Sequence, residues 1–116
     1  MAASRKGENV PRPPKKTEFE VRFATTDARR GWLDLVATIR NAMADTWDFL
    51  TRTPLTTTPT NYQLRGELGT IVRGNVTHER WQHKPTLKGG ARVWFYVEER
   101  TVWLEQVHTS HPNETK

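Results

Sequence analysis

The sequence predicts an α+β domain: an N-terminal strand and a helix or helix pair packed on one face of a small antiparallel sheet. Glu18 to Ala24 (EFEVRFA) alternates apolar and charged residues, the period of a half-buried strand. Between Trp32 and Leu50 apolar residues recur at threes and fours, the stripe of an amphipathic helix. From Gln63 onward short alternating segments are cut by Gly and Pro, which reads as a run of strands. The expected order is β-α-α-β-β-β-β.

Residues Met1 to Lys16 (MAASRKGENVPRPPKK) are polar, basic and proline-rich. They hold too little apolar surface to offset the entropy of ordering. Residues 1–17 are therefore expected to form a disordered basic tail, and 18–116 the folded domain. The tail either adds non-specific attraction to RNA or is simply solvated.

In the first strand Phe19, Val21 and Phe23 face one way, and Glu18, Glu20 and Arg22 the other. Thr25, Thr26 and Asp27 then offer N-cap side chains. Trp32, Leu35, Val36, Ile39, Met43, Trp47 and Leu50 make one helical face. Asn41 is placed to cap a second helix ending near Thr51. The phase survives across it, so one long helix and a helix pair both fit. Pro54 and Pro59 bracket a Thr-rich loop. A second strand region runs from Gln63 to Val72, where Gly66 and Gly69 suggest bulges or a bend. A third strand is Glu79 to Lys84, followed by a turn from Pro85 to Gly90. The fourth is Ala91 to Val97, the hairpin loop Glu98 to Arg100, and the fifth Thr101 to His108. Pro112 ends regular structure.

With 116 residues the chain holds one core, and five Trp offset a hydrophobic fraction of only 34%. A formal charge of +5 suits nucleic acid, an anionic membrane or an acidic partner protein, or merely keeps the chain soluble. No cysteine is present, which excludes a disulfide framework, a thiolate nucleophile and Cys-ligated zinc. No apolar run reaches a membrane span and no signal-peptide pattern follows the start, so a cytoplasmic protein with no membrane contact is expected.

Strand parity suggests an open, basic face. In the fourth strand Val93, Phe95 and Val97 should meet the helices, leaving Arg92, Trp94 and Tyr96 outside. In the third, sending Trp81 to the core puts Arg80, Gln82 and Lys84 beside Arg92. Trp94 and Tyr96 would then offer flat rings on which bases stack. The alternative is that both rings close a second small core under the Pro54 to Thr60 loop. In the fifth strand His108 shares parity with Leu104, so it points to the helices unless the strand bulges. Glu105 falls on the open face, as a base or as an ion-pair partner. His78 and His83 lack paired ligand spacing, so neither a metal nor another cofactor is expected.

The ordered series L-R-G at Leu64 to Gly66, then R-W-Q, GGARVWFYV, TVWL and HPNET, resembles the RelE/ParE superfamily of bacterial toxins. The RelE-like branch common in actinobacteria is the nearer likeness, from about Phe19 onward. The resemblance implies helices flanking a compact antiparallel sheet, and an antitoxin partner that wraps the toxin. RelE-type members cut mRNA in the ribosomal A site without metal; ParE-type members poison DNA gyrase instead. Family nucleases carry cations on the third strand, matched here by Arg80 and Lys84. They carry an Arg early in the fourth, matched by Arg92, and a cation or His just after the fifth, matched best by His111. Many also use a terminal Tyr or basic residue, and no Tyr follows His111 here.

The implied function is a type II toxin acting as a ribosome-dependent mRNA endoribonuclease; the alternatives are a gyrase-binding toxin or a non-toxic relative. In the first case the RNA 2′-hydroxyl is the nucleophile. A base takes its proton, cations stabilise the charge on phosphorus, and an acid protonates the 5′-oxygen. Arg92, Arg80, Lys84 and His111 form the expected catalytic set, with Arg92 on the scissile phosphate and His111 as acid or base. Gln82, Lys88, Trp94, Tyr96, His108 and Lys116 form the expected RNA-binding set.

Overall fold

A computed structural model of the chain describes residues 6–110. Strand β1 (Glu20–Phe23) leads into helices α1 (Thr26–Thr38) and α2 (Arg40–Arg52). The strands β2 (Asn61–Gln63), β3 (Thr70–Arg73), β4 (Val76–Glu79), β5 (Trp81–His83), β6 (Arg92–Glu98) and β7 (Thr101–His108) follow. A 3-10 turn at Gly66–Gly69 separates β2 from β3.

Thr25 caps α1: its hydroxyl accepts from the Ala28 amide at 2.9 Å and donates to the Glu105 carbonyl at 3.1 Å. The helices form a pair, but the break falls at Ile39 rather than Asn41. Ile39 leaves helical geometry at ψ 58°, while its amide still closes the last turn of α1 on Leu35 at 2.7 Å. Its side chain stays with Leu35 and Met43 in an apolar cluster, which is why the apolar phase runs through the break.

Five strands form one sheet in the order β1-β7-β6-β5-β2. The expected wholly antiparallel sheet is corrected here: β1 pairs with β7 in parallel, with Val21 beside Val102, so the sheet is mixed. The helix pair carries the chain across one face to the far edge. The β5-β6-β7 meander then walks back until β7 meets β1 running the same way. Ala28 and Leu50 from the helices pack on Trp81, Val93, Phe95, Val102 and Leu104, all under 8% exposed. Gly31 lets α1 approach β7 closely, since a Cβ there would lie 2.2 Å from the Val107 carbonyl oxygen.

The single strand expected from Gln63 to Val72 is split. Its second half pairs with Val76–Glu79 to make a separate two-stranded hairpin. Gly74 and Asn75 turn it, both at positive φ (59° and 65°), the backbone that a two-residue hairpin loop needs. Part of the N-terminal segment also meets the domain. The Arg12 guanidinium makes two 3.0 Å bonds to Glu18 and stacks over Trp47 at 5.5 Å. These bonds, with the Lys15 amide, hold the Glu18 carboxyl down to about 2.

Candidate functional site

The site lies on the sheet face away from the helices. Its layout depends on an irregularity in β7. Phe95 pairs with Leu104 but Trp94 pairs with Gln106, so Glu105 is an extra residue, a β-bulge. Leu104 and Val107, an odd number of positions apart, consequently share the helix side. His108 is turned to the opposite face, where its ring meets the edge of Trp94 at 4.8 Å. The regular-strand orientation for His108 is thereby overturned.

Trp94 and Tyr96 do face away from the helices, but they are not open. Trp94 is 1% and Tyr96 7% exposed, so neither offers a free ring for a base. Hairpin β3-β4 lies over this face: His78 stacks on Tyr96 at 4.7 Å, and Ile71 is buried. The rings are therefore covered, as the alternative allowed, with His78 of the hairpin over Tyr96 and Arg80 and His108 against Trp94. Burial pushes the Tyr96 phenol up from its usual range.

Polar groups run across the face as a chain of contacts. Glu105 is flanked by two guanidinium groups, Arg73 Nη2 and Arg80 Nε, each 3.2 Å from a carboxylate oxygen. The Arg80 guanidinium covers Trp94 at 5.3 Å. Trp94 Nε1 donates to Gln82 Oε1, and Gln82 Nε2 donates to the Tyr62 hydroxyl, both at 2.9 Å. The Lys84 ammonium lies over the Tyr62 ring at 5.4 Å. Gln82, expected as an RNA contact, is buried in this relay and acts on its neighbours.

Arg92 also departs from expectation. It shares the face and pairs in register with His108, but its guanidinium folds back. Nη1 donates to the Gly89 and Ala91 carbonyls at 2.8 Å, and the residue is only 6% exposed. Its Nε is buried without a hydrogen-bond partner among the described residues. The guanidinium is thus occupied in tying down the turn before β6. Lys88 stands exposed on that turn, away from the relay. His111 and Lys116 lie outside the described residues.

A cleft of about 440 Å³ opens beside the relay, lined by Thr25, Asp27, Glu105, Gln106, Val107 and His108. Its lining joins the N-terminus of α1 to the end of β7 and includes Glu105, the residue that Arg73 and Arg80 flank. Arg73 was not legible as a site residue, because its place depends on a hairpin that the strand reading missed. The Gly74-Asn75 pair was the signal that could have found it. Among the described residues no group of three or more His, Cys, Asp or Glu could hold a metal ion. No helix there is long and apolar enough to cross a membrane. No family model, curated protein or solved structure matches the chain.

Proposed function

We propose that the chain is a RelE-like toxin acting in the cytoplasm as a ribosome-dependent mRNA endoribonuclease, neutralised by an antitoxin. The observation that supports this reading is the convergence of Arg73, Arg80, Lys84 and His108 on one sheet face around Glu105 and Gln82. A phosphodiester needs cations for the charge that grows on phosphorus and a titrating group near the reacting oxygens. The 2′-oxygen forms the new bond to phosphorus, the bond to the 5′-oxygen breaks, and the products are a cyclic phosphate and a free 5′-hydroxyl. Arg80, stacked on Trp94 with its side chain 13% exposed, contributes positive charge to that face. His108, turned to this face by the bulge and packed on Trp94, is the imidazole proposed to move a proton. Arg92 supports the site by fixing the turn.

The burial of Arg92, Trp94 and Tyr96 favours a second reading, a toxin that acts by binding gyrase rather than by cutting RNA. Induction of the chain in a bacterial host separates the two. The first reading expects protein synthesis to stop, new mRNA 5′ ends to appear within codons, and plasmid supercoiling to persist. Loss of supercoiling with intact mRNA would establish the second instead, and normal growth would remove both.

A further inference from the structure

The ion-paired cluster on β7 and the hairpin contains Arg73, a cation outside the catalytic set expected from the sequence. Glu105 Oε2 accepts from Arg73 Nη2 at 3.2 Å and from Gln106 Nε2 at 3.1 Å, while Oε1 faces Arg80 Nε at 3.2 Å. The Glu105 side chain is 6% exposed, whereas that of Arg73 is 44% exposed. Arg73 thus meets the carboxylate through Nη2 alone, its Nη1 donates to the exposed Val72 carbonyl at 3.3 Å, and nearly half of the side chain stays open to solvent. A single-point contact half in water contributes little, and a guanidinium grips a phosphate better through two parallel bonds. Two guanidinium groups share one carboxylate, so the Arg73–Arg80–Glu105 cluster itself carries a net positive charge.

We propose that Arg73 and Arg80 form a phosphate-binding pair for the RNA backbone, with Glu105 as the internal counter-anion they hold when RNA is absent. This deepens the endoribonuclease reading and rests on it. Arg73 leaves Glu105 for a backbone phosphate, and Arg80 stays against Glu105 and Trp94 as the fixed half of the pair. Substrate therefore displaces a carboxylate already present, and the hairpin that carries Arg73 becomes part of the RNA surface.

The test is anisotropy of a short 2′-O-methyl oligoribonucleotide, which lacks the attacking hydroxyl, bound to the full chain across a salt series. Each single-strand phosphate contact contributes about 0.7 to the slope of log affinity against log salt. Arg73→Ala should weaken binding at low salt and flatten that slope by about 0.7, while Arg73→Lys should keep it. Glu105→Gln should tighten binding by roughly tenfold, because a competing anion is gone. Attraction from the basic N-terminal segment is common to all variants and cancels. An unchanged slope in Arg73→Ala overturns the inference alone. So does weaker binding by Glu105→Gln with a wild-type near-ultraviolet spectrum; if that variant does not fold, the Arg73 pair decides. Failure of the wild-type chain to bind the oligomer overturns the inference, while the ribosome-dependent nuclease reading stands or falls on the induction experiment.

Discussion

The side-chain amide of Asn61 sets the tautomer of His83. Asn61 Nδ2 donates to the Pro54 and Thr56 carbonyls at 2.9 Å, which leaves Oδ1 facing His83 Nδ1 at 3.1 Å. Nδ1 must therefore carry the proton and donate it. The ring is buried against Phe49, and burial pulls its pKa down from 6.5 to about 4.

That depression fixes the sign of an acid effect. Between pH 6.5 and 4 the unfolded chain binds a proton at this ring that the folded chain refuses. The stabilisation is complete above pH 6.5 and is lost as pH falls toward 4, by on the order of 3 kcal/mol. Glu18, held down to about 2, acts in the same direction at lower pH: its contribution is present above 4.5 and fades below that. Urea unfolding of wild type and His83→Gln at several pH values checks the first effect. The wild-type curve should steepen between 6.5 and 4 relative to the variant, and parallel curves would exclude His83 as the cause.

Gly31→Ala is expected to destabilise the protein although alanine is the better helix former. The new methyl would lie 2.2 Å from a main-chain oxygen of β7, which cannot swing away as a side chain can. Overpacking of this kind costs about 1–3 kcal/mol, more than the roughly 0.5–1 kcal/mol that alanine contributes in a helix. Chemical denaturation gives the sign directly; a stability equal to or above wild type would mean that α1 can shift outward without loss.

Arg92→Ala should lower the melting temperature, contrary to what an exposed catalytic arginine would do. Two carbonyls at 2.8 Å lose their charged donor, a loss of about 1.5–3 kcal/mol per bond where the group is buried. Growth arrest should weaken in step with the folded fraction. A variant that melts like wild type yet is inactive would return Arg92 to direct contact with RNA.

Glu99 offers a stabilising change. It holds φ at 55° in the β6-β7 turn without being glycine, a conformation that costs an ordinary residue about 1–2 kcal/mol. Glu99→Gly should recover roughly 1 kcal/mol of that, with activity unaltered. Thermal unfolding of the variant at neutral pH is the measurement, and a lower midpoint would show that the glutamate makes a compensating contact.

Much of the scaffold was legible because its signals are local. The bounds expected for the fifth strand are those of β7, and the stripe from Trp32 to Leu50 marks the helical layer. What was not legible depends on partners far along the chain. The bulge at Glu105 leaves no trace in composition, yet it inverts Val107 and His108. Alternation put Trp94 and Tyr96 on the correct face, but parity says nothing about whether that face is covered. The cover is β3-β4, whose turn was signalled by Gly74-Asn75 while its strands are only four residues each. Arg92 illustrates the same limit, since the position of Cα was predicted and the path of the guanidinium was not.

The parallel seating of β1 beside β7 sets the order in which the molecule can be made. Glu20–Phe23 has no sheet neighbour until Thr101–His108 exists, because β7 separates it from every other strand. During synthesis the earliest strand must wait for β7 to leave the ribosomal exit tunnel. The wall of the cleft waits with it, since Glu105, Gln106 and His108 all sit on that late strand. Pairings between distant segments also close slowly, because the connecting loop must be ordered first. A nascent chain of this protein consequently carries no assembled site until Thr101–His108 has emerged and folded.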